Sequence, residues 1–300
     1  MATYTNILVD IDSLAGSHPA LEHAFALARR AGARVTVVDV LPHVPKAARL
    51  FATLEIEREL VETRLAALRR LAQTAPEGLI VEANLLRGRP ATAIIAEAER
   101  IGADLVMRSH GRDLVNPRPP FGPVDMQLLR HCPCAVWIVG PEAGKAPARI
   151  LAAVDATTER AEERALNARI LESALDMRDL FGGAVVLMHA WAPFGEELLR
   201  VHMKAADFHA FLEESRQQAE AALDALIAAA GVRASGVTTE VVKAEPHEAI
   251  LEMVATARID LVVMGTAART GVAGLLMGNT AERVLRDLRQ SVLAIKPSSV

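Results

Sequence analysis

Short apolar runs alternate along this chain with longer stretches in which apolar residues recur every three or four positions. The runs at 6–11, 34–41, 79–85, 104–107 and 135–139 are nearly continuous in Val, Ile and Leu, as strands buried on both faces of a parallel sheet must be. Between them the spacing predicts helices over 19–31, stopped by Gly32, over about 46–73, and over 91–101, closed by Gly102. No helix is assigned between 107 and 135. The order then returns, with strands at 149–154, 184–191, 238–242, 260–264 and 291–295 and helices near 160–177, 207–230, 246–257 and 280–288. Such alternation means βαβ units, and right-handed crossovers make each set a doubly wound α/β sheet of five parallel strands.

The second half is a copy of the first. Gly88-Arg89-Pro90 answers Ala244-Glu245-Pro246, and Leu128-Leu129-Arg130 answers Val284-Leu285-Arg286, both at an offset of 156. The earliest strands match at 143, through Asp12 and Asp155, and Val38-Asp39-Val40 matches Met188-His189-Ala190 at 150. A period this long is a duplicated domain, not a solenoid. The expected domains are 1–141 and 148–300, joined by the Pro- and Gly-bearing linker 141–147. The two runs 135–139 and 292–295 would leave apolar sheet edges exposed, so they are expected to lie antiparallel and adjacent, with Trp137 buried and the halves packed as an internal pseudo-dimer.

Composition narrows the class. The 300 residues are 51% hydrophobic but only 3% aromatic, so Ala, Leu, Val and Ile build the cores. A net charge of −4 with no basic stripe argues against nucleic acid as a partner. No run reaches the roughly 18 apolar residues that span a bilayer, and the first residues lack signal-peptide character, so the expectation is a cytoplasmic protein without membrane insertion. Both cysteines lie in Cys132-Pro133-Cys134, which is neither a zinc pattern nor C-x-x-C, and they read as structural thiols.

In an open parallel sheet, ligands sit beyond the carboxyl ends of the strands where the strand order reverses. After the strand at 260–264 comes a glycine-bearing turn, Gly265 through Thr280, that leads into a helix. Its amides and the positive end of the helix dipole can cradle a phosphate, with Asn279 as N-cap and Arg269 adding a charge-assisted bond. The alternative is that the glycines only permit a tight loop. The turn is not a Walker A loop, since no lysine follows Gly278, and the Gly-rich dinucleotide fingerprint is absent after the first strand of either half. Asp155 stands at the end of the first strand of the second half, where it either meets a ribose hydroxyl or divalent ion or caps a local turn.

A strand-end aspartate, followed late by Gly265-2x-Ala268-9x-Gly278-Asn279, a helix and a final apolar strand, resembles the universal stress protein family. Two tandem copies, with Gly278-Asn279-Thr280-Ala281-Glu282 near the end and Leu128-Leu129-Arg130-His131-Cys132-Pro133 in the middle, are most similar to its E-type members. The resemblance implies five-stranded Rossmann-like domains of the adenine nucleotide alpha hydrolase-like type and a role in stress survival. It implies a site for ATP or AMP, with Mg2+ as an optional companion. Carried over residue by residue, that site is Val154, Asp155, Ala190, Met264, Gly265, Ala268, Arg269, Gly278, Asn279 and Thr280. Ala268 departs from the family's second glycine, and a methyl there costs on the order of 1 kcal/mol if the position needs positive φ.

The first half departs further: Ser109 replaces Gly265, Arg112 replaces Ala268 and Pro123 replaces Asn279, while Asn116-Pro117-Arg118-Pro119-Pro120 stiffens the loop. Proline offers no N–H, so this nucleotide site is read as lost. His189 reads as a packed core histidine, and the other histidines form no zinc pattern. Met203, Phe208, Phe211 and Leu212 read as core or seam. No Ser/His/Asp elbow is present, and nothing beyond Asp155 suggests even weak ATP hydrolysis. The competing reading is a tandem scaffold with two degenerate sites that accepts an apolar ligand or a protein partner; whether whole chains also pair as homodimers is left open.

Overall fold

A computed structural model describes residues 4–41, 54–110, 121–140, 146–193, 195–266 and 277–297. They cluster into two compact units. One takes the described residues up to Ala146 together with Arg289–Ala294, and the other takes the span from Pro147 to Thr266, Met277–Leu288 and the residues from Ile295 onward.

In the first unit β1 (Asn6–Asp10) lies between β2 (Arg34–Leu41) and β4 (Leu105–Ser109), β3 (Val81–Arg87) flanks β2, and β5 (Ala135–Val139) flanks β4. These five strands are parallel, so the order reverses between β1 and β4. The apolar runs became strands because every position of β5, and all but the first of β1 and β2, is buried. Helices α1 (Pro19–Ala31), α2 (Leu54–Gln73), α3 (Pro90–Ile101) and α4 (Pro123–His131) complete the unit. Gly32 and Gly102 end α1 and α3 in the left-handed region, at φ 70° and 63°, where only glycine is free of Cβ strain. Residues 46–53, expected in the second helix, lie outside the described residues.

The second unit repeats this plan. β6 (Arg149–Val154) lies between β7 (Ala184–Trp191) and β9 (Leu261–Gly265), and β8 (Thr238–Lys243) flanks β7, all parallel. Its helices are α5 (Ala161–Phe181), α6 (Glu196–His202), α7 (Ala205–Ala230), α8 (Pro246–Thr256) and α9 (Asn279–Asp287). One anchor is copied to the atom: Asp104 accepts the backbone N–H of Thr5 at 2.6 Å, and Asp260 accepts that of Ala148 at 2.9 Å, so each unit starts its first strand on an aspartate before its fourth.

Two helices were not foreseen. α4 forms although Pro123 opens it, because proline at the first helical position has the right φ and no N–H to lose. α6 is a seven-residue turn of helix with no buried residue, too short to show a period.

The last strand, β10 (Ser291–Ile295), packs with the first unit. Val292, Leu293 and Ala294 pair antiparallel with Ile138, Trp137 and Val136, as expected, and Trp137 is 1% exposed. Gly140 makes the approach possible: it donates its N–H to Ser291 Oγ at 3.0 Å, and a Cβ there would stand 2.8 Å from Arg289 O.

Candidate functional site

Register brings the expected site residues of the second unit to one level. The last paired positions are Val154 with His189 and Ala153 with Met264, so Asp155 follows level with Ala190 on one side and Thr266 on the other, with Gly265 one position back beside Val154. Val154 and Met264 are buried, Asp155, Ala190, Gly265, Gly278 and Thr280 half-buried, and Asn279 exposed. Ala268 and Arg269 lie outside the described residues.

The start of α9 differs from the expectation in two ways. Gly278, not Asn279, is the N-cap residue, because Glu282 N–H already returns to Gly278 O at 3.0 Å. Gly278 also donates its own N–H to Thr266 O at 3.0 Å, which commits the amide expected at a phosphate. What remains is the first turn of α9, where Asn279 and Thr280 carry N–H groups with no intrahelical acceptor at the positive end of the dipole. Gly278 has φ −66° and ψ 145°, a conformation open to any residue, so its missing side chain serves space in front of the helix and not backbone freedom. Thr266 Oγ1 is buried without a hydrogen-bond partner among the described residues. Gly265 has a different reason: a Cβ would meet Leu166 Cδ2 of α5 at 2.8 Å, so strand–helix packing alone accounts for it.

Asp155 is held by its backbone. Asn167 of α5 accepts Asp155 N–H through Oδ1 at 3.2 Å and donates from Nδ2 to Asp155 O at 2.6 Å. Ala156 N–H donates to His189 Nδ1 at 3.2 Å, which makes His189 a buried, hydrogen-bonded histidine at 2% exposure.

The same place in the first unit is filled with charge. Arg108 of β4 pairs with Asp10 and, through Nε, with Asp125 of α4 at 2.9 Å. The other Asp125 oxygen accepts Gly122 N–H at 2.9 Å and faces His110 Nδ1 at 3.3 Å. Nearby, Asp39 accepts Ser13 N–H at 3.1 Å and Arg64 at 2.8 Å, and Arg64 reaches Asp12 at 3.2 Å. Asp12 also accepts Leu14 N–H, a local turn cap. The buried Asp125 carboxylate thus sits on the N-terminus of α4, where an anionic ligand would be held. Its counterpart at offset 156 is Ala281.

Elsewhere chemistry is sparse. Cys132 and Cys134 have sulfurs 3.6 Å apart, and the Cys134 thiol is pushed up by its hydrogen bond to Cys132 and by burial, so it is a poor nucleophile. Among the described residues no cluster of His, Cys, Asp or Glu is placed for a metal ion, and no helix is long and apolar enough to cross a membrane. Phe208 is buried under the Arg200 guanidinium, while Leu198 and Val201 of α6 are 65% and 80% exposed.

A family model for universal stress proteins matches residues 3–140 and again 148–296. The chain belongs to the universal stress protein family. It is 30% identical to universal stress protein E of Escherichia coli K12 over 308 aligned positions, covering 99% of this chain and 95% of that one. It is 27% identical to universal stress protein E of Photorhabdus laumondii, covering 99% and 96%. A functionally unknown protein from Pseudomonas aeruginosa superposes with a TM-score of 0.73 at 26% identity, covering 99% of this chain and 94% of the other. A universal stress protein from Archaeoglobus fulgidus shares the fold, with a TM-score of 0.64 at 19% identity over 97% and 98%.

In this universal stress protein, sequence reasoning missed Asn167, Asp125 and the Arg108–Asp10 pair. The signal for the pair was present, since Asp10 and Arg108 are each the single charge of β1 and β4. Asn167 gave none, because one amide in a helix reads as solvated.

Proposed function

We propose that the second unit binds an adenine nucleotide, ATP or AMP, and that the protein acts as a nucleotide-responsive stress protein without turnover of its own. The proposed division is a first domain, 1–141, whose site is degenerate and a second, 148–300, whose site works. One contrast carries the reading: the N-terminus of α4 is closed by Asp125, whereas α9 has Ala281 at that place and an extended Gly278 in front of it. Asp155 follows the last residue of β6, Ala190 and Met264 are the next-to-last residues of β7 and β9, and the buried Thr266 hydroxyl, unpaired among the described residues, supports a polar ligand there. A bound nucleotide would bring phosphates to the Asn279 and Thr280 amides. Mg2+ would arrive with those phosphates, and among the described residues no positioned base accompanies Asp155 to activate water.

Calorimetry with ATP and AMP on the full chain tests this. Gly278→Leu should abolish binding by filling the space before α9. Gly122→Leu should leave it intact; a Cβ at 122 makes only an ordinary 3.7 Å contact with Asp125. Binding that survives the first change and disappears with the second would reverse the assignment. Mass spectrometry of molecules released from gently purified protein should find nucleotide; an apolar ligand alone would favour the scaffold reading.

A further inference from the structure

We infer that Asn167, with His189, is a positioning residue that sets the direction of the Asp155 carboxylate toward the bound nucleotide. This inference rests on the reading just proposed. It starts from a cost: Asn167 is 6% exposed on a helix whose neighbouring inward positions are Ile170, Leu171 and Ala174. A carboxamide placed there gives up its water, and burying a polar group stabilises nothing unless its bonds are remade. Both are remade to a single residue. Asp155 N–H donates to Oδ1 at 3.2 Å, and Nδ2 donates to Asp155 O at 2.6 Å, the two-bond pattern that one strand offers another.

His189 completes the hold. Its Nδ1 lies 3.2 Å from the N–H of Ala156 and 3.2 Å from the carbonyl oxygen of Val154, so the ring spans the residues on either side of Asp155. The peptide between 155 and 156 is therefore fixed at its carbonyl by Asn167 and at its N–H by His189. With the N–H of 155 also bound by Asn167, the backbone of Asp155 is held from both sides, which fixes the direction of its Cα–Cβ bond.

The first unit supplies the control. The helices α1 and α5 end at Gly32 and Gly182, an offset of 150, so Asn167 lies on the extra N-terminal turns of α5 and its place in the first unit falls at Ser17, exposed and before the start of α1. The amide after the aspartate is retained there by other means, with Ser13 N–H donating to Asp39 at 3.1 Å. Asp12 itself is drawn to Arg64 at 3.2 Å. The buried amide thus accompanies Asp155, the aspartate of the proposed nucleotide site, and is absent beside Asp12, which pairs with Arg64.

A double-mutant cycle on the full chain tests the inference, with ATP as the titrant. Asn167→Ala should weaken binding about tenfold, the low end of what loss of an outer-shell partner costs a metal site. In an Asp155→Ala background the same change should cost less than about twofold, because nothing is left to orient. Amide exchange followed by NMR should accelerate at Asp155 and Ala156 while Leu151 in β6 stays protected. Equal losses in both backgrounds, or unchanged binding in Asn167→Ala, would overturn the inference while leaving nucleotide binding intact. A parent chain that binds no adenine nucleotide would instead overturn the proposed function and this inference with it. If Asn167→Ala fails to fold, Asn167→Ser enters the same cycle and is held to the same outcomes.

Discussion

The two units treat the carboxyl ends of their strands in opposite ways. Helices α4 and α9 begin on a glycine N-cap at matching positions, Gly122 and Gly278, with extended backbones at φ −75° and −66°. The first unit closes its helix end with its own carboxylate, Asp125, and neutralises it with Arg108. The second has Ala281 and Met264 at those two places, and Ala153 where the first has Asp10. Even the contact between the fourth strand and the first helix has changed character: Ser109 accepts Ala20 N–H at 3.1 Å, whereas Gly265 lies against Leu166. In the first unit an internal carboxylate takes the place that an anion would take at the start of the helix.

The strongest way to break the comparison is Asp125→Ala. It leaves the partly buried Arg108 with Asp10 alone and should cost about 3 kcal/mol in denaturant unfolding, without creating a nucleotide site, because Pro123 still lacks an N–H. Unchanged stability would show that the network is decorative. The reciprocal change, Ala281→Asp, installs the internal anion in the second unit. Nucleotide affinity measured by calorimetry should fall about a hundredfold, or about 2.7 kcal/mol; wild-type affinity in a folded variant would mean that phosphates do not use the start of α9. Ala268→Gly should tighten binding by at most about tenfold, the ~1 kcal/mol that a restored glycine offers, and a weaker complex would remove strain at 268 from consideration.

The smallest effect concerns pH. His23 of the first unit has its pKa lowered by burial, partly offset by its bond to Pro19 O at 2.8 Å. The unfolded chain therefore binds the proton more readily, so the first unit should lose stability as pH falls below the ordinary imidazole value of 6.5. His23→Leu should flatten that dependence in melts between pH 7 and 5, and a parallel slope in the variant would assign it to other groups.

Much of this architecture was legible because apolar runs and glycine stops are local signals. The runs around 34–41 and 135–139 could be little other than buried strands, and Gly32 and Gly102 mark helix ends by a conformation few residues adopt. α4 was hidden by a proline-dense approach that argues against any helix until Pro123 is seen as its first residue. The role of Asn279 slipped by one position, because the cap depends on which carbonyl Glu282 reaches. The Arg108–Asp10 pair joins residues 98 apart and exists only once β1 and β4 share a register. The repeat indicated which positions to compare, but not that one copy would complete itself with a carboxylate.

The pairing of Ala294 with Val136 has a consequence for synthesis. A ribosome adding about 5–20 residues per second needs roughly eight to thirty seconds to travel from β5 to β10. Throughout that interval the nascent first unit carries an apolar strand edge with no partner, though every other strand it needs has already emerged. Its last native hydrogen bonds must wait for the final residues of the chain, so a truncation or stall after β9 should harm the half that was made first.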